Sequence, residues 1–223
     1  MRTAMAVLAA ALLSLPASSQ TAPVPVPVFQ IDFSNPSLSP SRWTLTLHPD
    51  GSGHFLSERG SAPAADSQTL NAPNVDRDIR LSAEFAQRVF QTARHQQRFS
   101  GKCESRMKVA FQGWKKLSYS GPDGQGSCEF NYSQDKEIQA LGDSLVAVAG
   151  TIVEGARLEL LLRHDRLGLY SEMESLAEAA ADGRAQQMSA IREVLERLAD
   201  DPGVMERVRK QARALLAEAG NRE

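Results

Sequence analysis

Residues 121–156, GPDGQGSCEFNYSQDKEIQALGDSLVAVAGTIVEGA, decide the fold, because the spacing of apolar side chains changes within them. Up to Tyr132 the period is two: Cys128, Phe130 and Tyr132 alternate with Glu129 and Asn131, as a half-buried strand requires. From Ile138 onward, Leu141, Leu145, Val148, Ile152 and Ala156 recur every three or four positions, the spacing of a helix with one apolar face, and the pattern runs to about Arg166. Sheet gives way to helix near Ser133.

Toward the amino terminus, Gly121-Pro122-Asp123-Gly124 folds Cys128–Tyr132 back on Lys116–Tyr119, proline presetting one turn dihedral and glycine accepting positive φ. Met107–Phe111 also alternates and is read as a strand entering this hairpin through Gly113. A second Pro-Asp-Gly, at 49–51, joins Trp43–Leu47 to His54–Leu56. Phe29–Phe33 and Asp78–Leu81 bring the total to six or seven short strands. Ser82 caps an inserted helix with Phe85, Val89, Phe90 and Ala93 on one face, and Gly60–Pro73 reads as a surface loop.

Toward the carboxyl terminus, Gly168 ends the long helix and Ser171-Glu172-Met173-Glu174 is a capping box for the next. Gly183 precedes a helix with Met188, Ile191, Val194, Leu195 and Leu198. Asp201-Pro202 then reads as N-cap and first residue of a last helix carrying Val204, Val208, Ala212 and Leu215. The expected fold is α+β: a mostly antiparallel sheet with one inserted helix, followed by a carboxyl-terminal group of three to four α-helices.

The first residues read as a leader. Arg2, an apolar run from Ala4 to Leu15 and small residues at Ala17-Ser18-Ser19 form a signal-peptide pattern, too short to span a bilayer. The expected organisation is a signal peptide over 1–19, a Pro-rich tether over 20–27, a β-rich domain with a disulfide over 28–132, and a helical region over 133–223. No later stretch could cross a membrane, so the protein is expected to be secreted or periplasmic. In such an oxidising compartment the two cysteines, Cys103 and Cys128, read as a disulfide closing a loop of 26 residues. Such a loop is worth about 3.5 kcal/mol in the chain-entropy account.

Gly142-Asp143-Ser144-Leu145 resembles the nucleophile block of the GDSL (SGNH) esterases. The resemblance implies Ser144 as a nucleophile, with a base from an Asp-x-x-His near the carboxyl terminus. It covers four residues. In that family the block follows a buried strand near the start of the domain, whereas here it lies within a helical period. His164 is the only later histidine, and the residue three before it is Leu161. The four histidines, His48, His54, His95 and His164, form no metal-ligand set; His48 and His54 flank the first hairpin turn, but zinc needs three or four ligands. Around the Pro-Asp-Gly turns, the positions two and four before Asp50 and Asp123 lack the oxygen ligands of a calcium loop. No cofactor or metal is therefore expected.

One distributed feature is left. From Arg88 to Lys116 eight basic residues face the single acid Glu104, a net of +7, while Glu129 to Asp201 carries a net of −8. Phe90, Phe99, Phe111 and Trp114 interleave with the bases. Either the two blocks neutralise each other and their charges point in several directions, or the basic segment is a surface for an anionic envelope component or partner protein. Nucleic acid is not expected for an exported chain without a nucleic-acid motif. The expected function is a non-enzymatic binding or interaction module in the cell envelope, with Arg106, Lys108, Trp114, Lys115 and Lys116 as binding residues. The alternatives are an envelope serine hydrolase using Ser144 and His164, or a helical interaction platform with exposed apolar faces. Oligomeric state is left open.

Overall fold

In the computed structural model, residues 26–60 and 73–222 are described; the leader, nearly all of the tether and most of the 60–73 loop lie outside them. Six strands alternate buried and exposed positions: β1 (Val28–Ser34), β2 (Arg42–Leu47), β3 (Ser52–Glu58), β4 (Val75–Arg80), β5 (Trp114–Gly121) and β6 (Gly124–Phe130). They form one sheet in the order β4-β3-β2-β1-β5-β6, every pair antiparallel. β1 is central because it pairs with β2 on one side and β5 on the other, while the chain between β4 and β5 forms helix α1 (Ala83–His95). Ser82 caps α1 by accepting a hydrogen bond from the Phe85 amide.

Four helices follow the sheet: α2 (Lys136–His164), α3 (Leu169–Ala181), α4 (Arg192–Asp200) and α5 (Glu206–Arg222). The fold is therefore α+β, a six-stranded antiparallel sheet followed by helices. α2 is shared between two cores. Its first part, from Ile138 to Ala156, packs with α1 on Phe29, Ile31, Leu45, Leu117, Tyr119 and Phe130 of the sheet. Its last turns, with Leu158, Leu161 and Leu162, join Met173, Leu176, Leu195, Leu198, Val208 and Leu215 of α3 to α5 in the second. Gly155 marks the crossing: a Cβ there would collide with Cγ2 of Ile191, so only glycine allows this approach.

Three boundaries differ from the sequence reading. Met107–Phe111 is not a strand: residues 106–112 are all exposed, and the anchoring hydrogen bonds of 105–112 run to Asn131 and Tyr132 rather than to a neighbouring strand. Ser171 does not cap α3. Asp165 accepts hydrogen bonds from the Leu167 and Gly168 amides, starting the helix earlier, and the Ser171 hydroxyl instead donates to Gly168 O. Asp201 is taken by a turn, accepting from the Gly203 amide and pairing with Arg166 at 3.0 Å, so α5 begins at Glu206.

Cys103 and Cys128 form the disulfide, with Cα atoms 5.7 Å apart. It ties the segment after α1 to edge strand β6, which that segment covers: a Cβ at Gly126 would meet the backbone of Arg98 and Ser100. Among the described residues no helix is long and apolar enough to cross a membrane.

Candidate functional site

One face of the sheet is covered by α1 and α2; among the described residues nothing covers the other, as a two-faced antiparallel sheet permits. The register decides what stands on the open face. Across the strands one row reads Glu58, Arg42, Ser34, Trp114, and the next reads Asp76, Leu56, Thr44, Asp32, Lys116, Glu129. All of these except Asp76 line a groove of about 270 Å³. Its floor is fixed by hydrogen bonds, Asp32 accepting from the Gln30 side-chain amide at 2.9 and 3.0 Å and from the Thr44 hydroxyl at 2.9 Å. Trp114 and Leu56 are its exposed apolar members. Among the described residues neither Arg42 nor Lys116 is engaged in an ion pair.

The loop preceding β5 rises from the same end of the sheet. Trp114 lies edge-on to Phe111, ring centroids 6.2 Å apart. Arg106 and Lys108 are exposed on this loop and also without ion pairs among the described residues. The structure thus brings four of the five expected binding residues to one end of the sheet: Arg106, Lys108, Trp114 and Lys116. Lys115 does not join them. Strand alternation turns it to the covered face, where it is 2% exposed and donates to Asn131 O at 2.9 Å, with its ammonium 5.3 Å from the Phe130 ring centroid. Burial pushes its pKa below the ordinary lysine value, Asp143 and Glu104 opposing.

Three other bases of the segment are engaged elsewhere. Arg88 stacks on the Phe85 ring, and Arg94 and Arg98 approach Asp123 at 4.0 and 3.9 Å. Asp123 also accepts a 2.5 Å hydrogen bond from the Tyr119 hydroxyl, which holds its carboxyl below the usual range. Part of the +7 block is therefore local structure, and Lys102, Arg106, Lys108 and Lys116 are its exposed bases without an ion pair among the described residues. Sequence reasoning misses Arg42 because it joins the site solely through the β2–β1–β5 register.

Ser144 lies inside α2, and His164 is 20 residues further along the same helix, about 30 Å at 1.5 Å per residue. The pair implied by the esterase resemblance cannot meet. Gly142 of that block has a packing role: a Cβ would lie 2.9 Å from Phe130 Cζ and 3.1 Å from Lys115 Cδ.

A second cavity of about 590 Å³ lies between β2 to β4 and residues 189–194. Its charges answer one another. Arg77 holds Glu159 with two hydrogen bonds of 3.0 and 3.1 Å. His54 is gripped through both ring nitrogens, Nδ1 by Asp78 at 2.9 Å and Nε2 by Asp76 at 3.0 Å. The Asp78 hydrogen bond leads in raising its pKa, so the ring has no free nitrogen to act as base or ligand. Among the described residues no cluster of three His, Cys, Asp or Glu could hold a metal ion.

Of the apolar residues in the helical region, those read from the last helix are buried, while Leu167 and Met205 stay exposed. Val204, Val208, Ala212, Leu215 and Ala219 are buried in the second core. The fold and the open face together describe an α+β domain with a polar groove and a basic, apolar loop at one end of its sheet. No protein-family model matches the chain, and no curated protein sequence matches it.

Proposed function

We propose that this is an exported, non-catalytic binding module that engages an anionic partner of the cell envelope through one end of its sheet. The observation that carries the reading is the exposed loop before β5, whose Arg106 and Lys108 have no ion pair among the described residues, next to the exposed Trp114 at the start of β5. In the groove Arg42 and Lys116 stand across from Glu58, Asp32 and Glu129, which offset part of their charge, so the attraction for an anion comes chiefly from Arg106 and Lys108 on the loop, beside which the exposed indole adds apolar area. Export is supported by the leader pattern of residues 1–19 and by a disulfide of the kind found in oxidising compartments, giving a secreted or periplasmic location.

The test is retention on an immobilised anionic envelope extract at low salt. Arg106→Glu with Lys108→Glu removes retention, whereas the matched pair Lys136→Glu and Lys210→Glu, on α2 and α5, leaves it nearly intact. Equal loss in both pairs would mean that net charge alone is read, and the assigned surface would be wrong.

A further inference from the structure

We propose that the loop 105–112 settles the protein on the surface of an anionic lipid bilayer. The proposal rests on the anionic-partner reading above and names its partner class.

Residues 106–112 form an unbroken exposed run. Within and beside it stand Met107, 53% exposed, Phe111, 51%, and Trp114, 41%, together with exposed Val109. Soluble chains scatter exposed apolar residues singly; a cluster of large ones on a projecting loop marks an interaction surface. Arg106 and Lys108 alternate with Met107 and Val109, and no acidic residue occurs between Glu104 and Asp123. Apolar tips between cations match a bilayer surface of acyl chains under anionic head groups, with aromatic rings suited to the boundary. A polysaccharide would satisfy the cations but offer little to Met107 and Val109.

The loop is also held in place. The Ser105 amide donates to Tyr132 O at 2.9 Å. The Asn131 side chain spans the far end, donating to Ala110 O at 3.2 Å and accepting from the Gln112 amide at 2.7 Å. The Asn131 backbone amide in turn donates to Glu104 at 2.6 Å, and the Cys103–Cys128 bond fixes the root. An anchored loop has less freedom to lose on docking, which favours binding through a small contact.

The chain carries its own reporter. Of its two tryptophans, Trp43 is buried and stacked on Phe33, so a change in fluorescence on binding comes from Trp114. The full mature protein is mixed with vesicles of equal parts phosphatidylglycerol and phosphatidylcholine, with phosphatidylcholine alone, and with soluble alginate. The expected result is sedimentation with the anionic vesicles only, and a blue shift of emission. Met107→Ser and Phe111→Ser, both at exposed positions, each lower partitioning about tenfold. Sedimentation unaffected by either substitution would overturn insertion of the loop while leaving the anionic-partner reading standing. Binding to alginate but not to vesicles would overturn the lipid assignment alone, and binding to neither would overturn both.

Discussion

Replacing Glu154 by glutamine should stabilise the protein, and increasingly so as pH rises. Glu154 faces Glu172 across the α2–α3 contact, with Arg157 between them: Arg157 Nη1 lies 2.7 Å from Glu172 Oε1 and 3.9 Å from Glu154 Oε2. One guanidinium serves two carboxyls, the Glu154 side chain is only 19% exposed, and its Oε1 has no hydrogen-bond partner. Burial, then the hydrogen bond and repulsion from Glu172, push its pKa up to about 9. Folded Glu154 is thus neutral at pH 7 and hydrogen-bonded to Glu172, whereas in the unfolded chain it ionises near 4.5. Between these values the folded state holds the extra proton, so this group's contribution is most favourable below pH 4.5 and is lost progressively as pH rises toward 9. At pH 7 the accumulated cost is on the order of a few kcal/mol, because each pH unit between the two values is worth about 1.36 kcal/mol. The substitution Glu154→Gln would keep the shape and the donor to Glu172 without needing a proton. Thermal melts followed by circular dichroism should show variant and wild type alike near pH 4.5. At pH 7 the variant should melt several degrees higher, and the gap should be wider at pH 8.5. A variant less stable at pH 7, as expected if an ionised Glu154 were paired with Arg157, would refute the reasoning.

Other outcomes follow from single contacts. Gly155→Ala should cost about 1–3 kcal/mol because its methyl meets Ile191, while Gly150→Ala, with open space around the added Cβ, should stabilise by about 0.5–1 kcal/mol; paired urea melts compare them. Lys115→Met should leave retention on an anionic matrix unchanged, since the buried ammonium is turned away from the open face; a loss equal to that of Lys116→Glu would contradict the strand register. His54 and His95, hydrogen-bonded to Asp78 and Glu137, should titrate above the ordinary imidazole value in NMR. Their stabilisation is complete below about pH 6.5 and lost as pH rises through the raised values, and midpoints at or below about 6.5 would oppose these pairings.

The sheet-to-helix switch at Ser133, the two Pro-Asp-Gly hairpins, the Ser82 cap and the disulfide were all legible because each is local or nearly so. Lys115, expected at the binding surface, is buried instead because it shares strand parity with Leu117 and Tyr119, which outweighs its charge. Arg42 and Asp32 could not be placed by such means. They reach Trp114 and Lys116 only because β1 pairs with both β2 and β5, a contact between residues some 80 positions apart. The alternation of Met107–Phe111 misled because exposed basic and apolar residues can alternate without a neighbouring strand to hydrogen-bond. The Gly-Asp-Ser-Leu block misled because four residues carry no information about the strand that must precede a nucleophile or the base that must face it.

The most direct test of the assigned surface is amide and indole NMR of the isotope-labelled mature protein during titration with anionic lipid nanodiscs. The account predicts that shifts and broadening concentrate at Arg42, residues 105–112, the Trp114 indole and Lys116, with Trp43 and Lys210 unaffected. Perturbations centred instead on His48, Arg80 and Arg192 around the second cavity, or spread evenly over α3 to α5, would contradict it.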